Sequence, residues 1–369
     1  MKLLHLSDLH LGLKICEISM LDEQRYVFEQ VFDCIKEYHI DAVLISGDVY
    51  DKSIPPVDAV KLFDEILFRL SEMNVPVLII SGNHDSAERL SFGARVMSRQ
   101  RIWVVTNVKE ALEPVTLRDE YGDVNFYLLP FLRPSDVNNA FSQSIAGYTE
   151  AIRFMIEQMK VDPAKRNVML AHQFVSGASV SDSELTVGGT DCVDRAVFDV
   201  FDYAALGHLH TPQRVGKDTV RYCGTPLKYS LSEIGHQKSM TIVTLGEKTD
   251  ITLDTVPFVP QHEMRKLKGS YRELMEGTPS EDYLYVELTN TDDVPYAASG
   301  LRQIYPNLIS LSYLRNNRSG GETVVMLNAE DEKSPEEIFE ELFMQQHPDS
   351  EITELQHATL RDMIEQVWR

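Results

Sequence analysis

Five short apolar runs of β type each end in aspartate, asparagine or histidine. This repeated ending limits the folds open to the chain more than any other feature. LLHLSDLH delivers Asp8 and His10, AVLISGDVYD delivers Asp48 and Asp51, and VLIISGNHD delivers Asn83, His84 and Asp85. VMLAHQ contributes His172, and AALGHLH contributes His208 and His210. In α/β sheets, ligand-binding residues collect beyond the carboxyl ends of strands, so five such ends can converge on one crevice. Gly47, Gly82 and Gly207 stand directly before Asp48, Asn83 and His208 and permit tight turns there.

Between these runs lie helical periods. Val57–Met73 places Val60, Leu62, Phe63, Ile66, Leu67 and Leu70 at the spacing of one helix face, and a second helix is expected over Ala87–Met97. Strands alternating with helices make residues 1–260 an α/β domain. The stretch VPFVPQ, with two prolines, then breaks the pattern. Beyond it, YLYVEL (283–288), a helix at Tyr296–Ile304 and a strand at Leu308–Leu314 suffice for a small α+β module over 261–322. Residues 323–369 read as a linker and helical tail. Ser334, Pro335, Glu336 and Glu337 form a helix start: N-cap, proline at the first position, acids in the first turn. Ile338, Phe339, Leu342 and Phe343 make one apolar stripe; Leu360, Met363, Ile364, Val367 and Trp368 make another. Two short amphipathic helices do not bury such faces unaided.

Charge constrains the partners. The net charge is −22, which argues against a nucleic-acid ligand if taken alone. Its distribution softens that argument. Residues 330–369 carry twelve acids and three bases, and some of the remaining carboxylates would face metal. Two basic groups are candidates for phosphate contact: Arg89, Arg95, Arg99 and Arg101 after the GNHD turn, and Arg265, Lys266, Lys268 and Arg272 at the domain junction. Four scattered cysteines form no CxxC pair and read as free thiols. No run approaches the roughly 20 apolar residues of a membrane helix. The apolar stretch before Asp8 is too short for a signal peptide. A cytosolic address is the expectation, with no membrane partner.

The chemistry of the strand ends points to metal. Mixed carboxylate, imidazole and amide donors suit Mn²⁺, Fe²⁺ or Zn²⁺ better than Ca²⁺, and no cysteine takes part. A shared carboxylate can hold two divalent cations roughly 3.5–4 Å apart, the arrangement used for displacement at phosphorus. A lone DxH, or a lone buried histidine, is ordinary core or turn chemistry; the ordered set of five is not.

This ordered set resembles the calcineurin-like metallophosphoesterase superfamily, whose pattern reads DxH, GDxxD, GNH, H and GHxH. The resemblance covers roughly residues 1–260. It implies a four-layer sandwich, two central mixed β-sheets flanked by helices. It implies that Asp8, His10, Asp48 and His210 hold one metal and Asp48, Asn83, His172 and His208 the other, with Asp48 bridging. His84 matches a histidine beside the scissile phosphate, and Asp51 the acid that orients it. The implied reaction is phosphoester hydrolysis, in which two cations lower the pKa of bound water and screen the phosphate charge.

Four further segments resemble the SbcD family, the nuclease subunits of bacterial SbcCD exonucleases. They are GNHDSAERLSFG (82–93), SELTVGGTDCVD (183–194), ALGHLHTPQ (205–213) and YCGTPLKYSLSE (222–233). Lys52 and Asp85 stand where protein phosphatases of the superfamily carry arginine and glutamate, which disfavours that branch. The closer resemblance implies a manganese-dependent nuclease acting on DNA ends and hairpins in repair, recombination and replication, with Mg²⁺, Fe²⁺ or Zn²⁺ as other metals. It implies a homodimer of nuclease subunits within a heterotetramer, joined to an SbcC-like SMC ATPase and associated with the nucleoid. The helix at Val57–Met73 and the one expected over Ala87–Met97 would pair the subunits. The capping module would recognise DNA, and the stripes at 338–343 and 360–368 would dock the ATPase's coiled coil. Two other readings stay open: a phosphoesterase for small or cyclic nucleotides, and a non-catalytic scaffold with a structural metal.

Overall fold

The computed structural model describes residues 1–179 and 192–314, together with Phe339, Phe343, Gln356, His357 and Leu360 of the tail. The first compact unit, Met1–Met264, opens with β1 (Lys2–Leu6), the small hairpin β2 (Lys14–Ile15) and β3 (Ile18–Ser19), and α1 (Leu21–Tyr38). It continues through β4 (Ala42–Ser46), α2 (Val57–Glu72), β5 (Val77–Ile80), the single turns α3 (Ala87–Leu90) and α4 (Ala94–Met97), and β6 (Ile102–Val105). Then come β7 (Val115–Asp119), β8 (Gly122–Leu129), α5 (Pro134–Phe141), α6 (Tyr148–Met159), β9 (Arg166–His172) and β10 (Tyr203–Gly207). β11 (Gln213–Val215), β12 (Lys217–Tyr222), β13 (Ser239–Leu245) and β14 (Ile251–Pro257) complete it.

These strands form two six-stranded sheets, in the orders β14-β13-β1-β4-β5-β6 and β11-β12-β10-β9-β8-β7. Both are mixed. The β1-β4-β5-β6 and β12-β10-β9-β8 runs are parallel, while β13, β14, β11 and β7 join antiparallel. The sheets face each other across one core. Leu3, Ala42, Leu44, Leu78 and Ile80 of the first meet Phe126, Leu128, Val168, Leu170, Tyr203 and Ala205 of the second. The alternate residues of the second sheet, among them Tyr127, Leu129, Met169, Ala171 and Leu206, pack with Val137 of α5 and Ala151, Ile152 and Met155 of α6.

Alternate residues of the first sheet, such as Leu4, Val43, Ile45 and Ile79, are equally buried. So are Val27, Phe28, Val31, Phe32 and Ile35 of α1 and Leu62, Phe63, Ile66 and Leu70 of α2. Burying each such side chain is worth about 1.5–3 kcal/mol relative to leaving it in water. Strands buried on both faces read as unbroken apolar runs, which is why LLHL, AVLI and VLII stand out in the sequence. The result is the expected sandwich of helices outside two mixed sheets.

One expected element differs. The helix over Ala87–Met97 is broken into α3 and α4 at Gly93, whose φ of +78° is a left-handed conformation that ends a helical turn.

The second unit begins at Arg265. β15 (Met264–Gly269), β16 (Tyr283–Leu288) and β17 (Leu308–Tyr313) form its sheet, with β16 and β17 parallel. α7 (Tyr271–Met275) carries a capping box in which Ser270 and Glu273 satisfy each other's main-chain N–H. With α8 (Ala297–Leu301) it closes a core of Leu274, Leu284, Val286, Leu288, Leu301, Leu308 and Leu311. In the tail, Phe339 and Phe343 are helical, their rings stacked 6.3 Å apart, and Phe339 is exposed. Ile338, Leu342, Met363, Ile364, Val367 and Trp368 lie outside the described residues, as do the helix start at Ser334 and the GGTD segment.

Candidate metal centre

The strand-end residues do gather at one edge of the sandwich. β1 and β4 are parallel neighbours, and their pairing continues past the strands: Asp8, His10 and Leu11 donate main-chain bonds to Gly47, Asp48 and Val49 at 2.9–3.0 Å. This lays the DLH and GDVYD loops side by side. Asp8, His10, Asp48 and His208 all have positive φ (52°, 45°, 49° and 105°), a region that non-glycine residues enter at a cost and that clusters at functional sites. Gly82 is required by proximity. A Cβ there would stand 2.1 Å from the Asp48 carboxylate. At Gly47 it would stand 2.3 Å from the His172 ring.

The buried acids divide their oxygens between the main chain and the cavity. Asp8 Oδ1 accepts from His208 N at 2.8 Å, and Asp48 Oδ1 accepts from His84 N at 2.9 Å. Asp48 Oδ2 is left 3.3 Å from His172 Nε2 and 3.7 Å from His10 Nε2. Asn83 Oδ1 lies 3.0 Å from both His172 Nε2 and His208 Nδ1. The outer nitrogens of two rings are tied to main-chain carbonyls: His172 Nδ1 donates to Ser46 O and His84 Nδ1 to Asp51 O, each at 2.7 Å. Both rings are thereby oriented, with Nδ1 turned to the main chain. The His10 ring stands 4.8 Å from that of His84 and 5.0 Å from that of His210.

These residues fit divalent metal. Asp8 Oδ2 and both ring nitrogens of His10 are buried without a hydrogen-bond partner, a costly state that a cation would relieve. Two trios have donor atoms mutually within 4.8 Å: His10, Asp48 and His84, and Asp8, Asp48 and His172. Asp48 belongs to both, as a bridging carboxylate must.

The electrostatics agree. Burial works to raise the Asp48 carboxyl, but His172, His84 and His10 hold it well below its usual range. Burial opposes charge on His172, yet Asp48 and Asp8 push it up to about 9. Burial and the neighbouring His172 push His208 down to about 3.

The hydrogen bond from His84 Nδ1 ends on the main-chain carbonyl of Asp51. The carboxylate stands 3.7 Å from His10 Nδ1 instead. The GDxxD loop folds back so that its last carbonyl, rather than its side chain, meets the GNHD turn.

Two structural residues were not legible as such. Asp85 accepts from the main-chain N–H of Val49 (3.1 Å), Tyr50 (2.9 Å) and Gly82 (2.9 Å), so it clamps the GDVYD loop to the GNHD loop. Burial and the nearby Asp48 push its carboxyl up to about 6, while the three N–H donors favour the ionised form. Its signal was a carboxylate directly after a ligand turn. Gln24, buried on α1, donates to His10 O at 2.7 Å and accepts from Gly12 N at 3.1 Å, which pins the DLH loop. A buried glutamine inside a helix gives no sequence signal.

The two basic groups differ. Arg89, Arg95 and Arg99, on the segment that follows the GNHD turn, are exposed, and Arg89 donates to Ser53 O at 3.2 Å. In the second unit Arg265 pairs with Asp282, Lys266 and Lys268 both pair with Glu287, and Arg272 pairs with Glu276, all at 2.6–2.9 Å.

A family model described as calcineurin-like phosphoesterase matches residues 1–212. A second, described as the type 5 capsule protein repressor C-terminal domain, matches residues 260–347. The SbcD subunit of the SbcCD nuclease of Staphylococcus epidermidis is 31% identical over 357 residues, 94% of each chain. Among solved structures, a dimetal phosphatase from Danio rerio aligns with a TM-score of 0.42 at 11% identity, over 70% of this chain and 96% of its own. The protein TT1561 of Thermus thermophilus aligns at 0.40 and 11%, over 69% and 98%. Strand ends, sheet order and a near full-length relative agree: the chain is a calcineurin-like phosphoesterase and belongs to the SbcD family of SbcCD nuclease subunits.

Proposed function

We propose that this chain is the nuclease subunit of an SbcCD-type complex and hydrolyses DNA phosphodiesters at a two-cation centre. One observation carries the reading. Side chains from five strand ends of two sheets surround buried, unsatisfied donors of Asp8 and His10, with Asp48 common to both candidate trios. In this reading Asp8, His10, Asp48 and His210 hold one cation and Asp48, Asn83, His172 and His208 the other. Two divalent cations, Mn²⁺ in our assignment, supply a lowered pKa for attacking water and screening of the phosphodiester charge. His84 acts on the departing oxygen. With Nδ1 donating to Asp51 O, Nε2 is the nitrogen that delivers a proton or hydrogen bond there.

DNA approaches the exposed Arg89, Arg95 and Arg99 beside the GNHD turn. The charges of Arg265, Lys266, Lys268 and Arg272 are already met by carboxylates, which supports a lesser part for them. Two subunits pair through the apolar surface around that turn: Ile54, Val57, Val60, Phe92 and Val96 are exposed there, Phe92 at 87%. The tail stripes at 338–343 and 360–368 dock the coiled coil of an SbcC-like ATPase. Among the described residues no helix is long and apolar enough to cross a membrane; a cytoplasmic, DNA-associated location fits the reading.

The test is purified protein with Mn²⁺, offered duplex DNA, a hairpin and a small phosphodiester. Cleavage of the two DNA substrates is expected. Turnover of the small ester alone would replace DNA by nucleotide substrates, and metal uptake with no turnover would make the chain a scaffold. A truncation lacking residues 334–369 is expected to keep nuclease activity and lose copurification with the ATPase; loss of solubility would place the tail in the core instead.

A further inference from the structure

The segment YCGTPLKYSLSE (222–233) supplies no proposed ligand, yet it braces two of the loops that do. Tyr229 Oη donates to Leu9 O at 2.9 Å and accepts from Gln24 Nε2 at 3.0 Å, beside the DLH loop. Thr225 N donates to His210 O at 3.2 Å, beside the HLH loop. Gly224 comes so close that a Cβ would stand 2.5 Å from His210 O. The segment ends on a fully buried carboxylate, Glu233.

Glu233 sits in a set of polar contacts around His210. Its Oε1 stands 3.6 Å from His210 Nδ1 and accepts from Ser230 Oγ at 2.8 Å. Its Oε2 accepts from Lys238 Nζ at 2.5 Å. Lys238, 4% exposed, also donates to His210 O and to Thr225 Oγ1, each at 2.7 Å. The ammonium therefore holds the His210 main chain while the carboxylate faces its ring. A buried ion pair is seldom more stabilising than an apolar pair of the same volume, so stability alone does not account for it. An imidazole ligates metal through one nitrogen, and a carboxylate on the other fixes the tautomer and strengthens the ligand.

We propose that Glu233, held by Lys238 and Ser230, is a positioning residue that keeps the His210 proton on Nδ1 and turns Nε2 to the metal centre. The inference rests on the reading of His210 as a ligand. His172 obtains the same result from Ser46 O, a neutral carbonyl. His210 has a carboxylate behind it, itself paired with Lys238, in place of that neutral carbonyl.

The test is Mn²⁺ binding, followed by calorimetry and electron paramagnetic resonance. The double variant Glu233→Met with Lys238→Met removes both charges together, so neither is stranded in the interior. Wild-type protein is expected to take up two ions. The double variant is expected to keep one and to bind the second about 10–100-fold more weakly. Glu233→Gln with Lys238→Met returns an acceptor opposite Nδ1 and is expected to recover most of that loss, which a purely structural role would not produce. A folded double variant whose Mn²⁺ curve superimposes on wild type would overturn the proposal. Fewer than two ions on wild type would overturn the metal-centre reading itself, a separable result. If the double variant does not fold, ¹⁵N correlation spectra of histidine in the metal-free wild-type protein decide the matter, with His210→Gln identifying the signals. A proton on Nδ1 alone at pH 8 supports the assignment, and a proton on Nε2 sinks it.

Discussion

The rim contributed by the first sheet and the rim contributed by the second are chemically unlike. β1, β4 and β5 end in Asp8, His10, Asp48, Asn83 and His84, whereas β9 and β10 end in His172, His208 and His210, imidazoles only. The carboxylate rim is also the strained and clamped one. Three of the four positive-φ ligand positions lie on it, and Asp85 and Gln24 brace its loops. On the imidazole rim His172 Nδ1 donates to Ser46 O, His172 Nε2 and His208 Nδ1 each lie 3.0 Å from Asn83 Oδ1, and His210 Nδ1 stands 3.6 Å from Glu233 Oε1. Carboxylates thus enter from the first sheet only. A centre of this kind assembles only when both sheets are in register.

The largest expected effect follows from breaking the carboxylate rim at its shared member. Asp48→Asn keeps the shape of the side chain but removes the charge common to both trios. It is expected to lose both Mn²⁺ ions and to cut DNA turnover at least about a thousandfold, the range for loss of metal-ion catalysis with its bound-water nucleophile. Two ions retained on the variant, read by metal analysis, would mean that Asp48 does not bridge.

His84 separates ligation from proton transfer. His84→Gln is expected to keep two Mn²⁺ and to lose about a hundredfold or more in kcat, the usual share of a general acid. Near-normal single-turnover cleavage would remove it from the mechanism; loss of one ion would move it into the ligand set, where the trio with His10 and Asp48 also places it.

A smaller effect tests the basic groups. Arg95→Glu with Arg99→Glu is expected to weaken duplex binding and reduce the slope of log affinity against log salt by about 2. Lys266→Glu with Lys268→Glu is expected to change the slope by less. The opposite ranking in a salt titration would shift DNA contact to the second unit.

The smallest expected change is in stability. Asp85→Ala leaves three main-chain N–H groups without their acceptor and relieves repulsion with Asp48; about 2–3 kcal/mol of unfolding free energy should be lost. A denaturant midpoint equal to wild type would show that the two loops hold together without the clamp.

What was legible in the sequence follows from the same contrast. Residue types able to hold metal are few and here fall at strand ends, so Asp8, His10, Asp48, Asn83, His172, His208 and His210 stand out together as candidates. The sandwich was legible because doubly buried strands are solidly apolar. Asp85 and Glu233 are ordinary acids in sequence; their roles arise from main chain and rings brought to them across dozens of residues. The orientation of His84 by a carbonyl is invisible for the same reason, since every residue has one. The neutralised cluster could have been read more closely. Lys266 and Lys268 alternate on one strand and so share a face, where Glu287 of the neighbouring strand meets both.

The four left-handed residues of the candidate centre bear on the stability of the protein. Each costs roughly 1 kcal/mol or more, with His208 at φ 105° the furthest from an ordinary basin. Their sum is a sizeable fraction of the roughly 5–15 kcal/mol that holds a domain folded. The strain is borne by the main-chain bonds between the DLH and GDVYD loops and by the Asp85 and Gln24 clamps. Cations bound at the proposed centre would offset part of that strain, so resistance to denaturation is expected to rise with metal concentration.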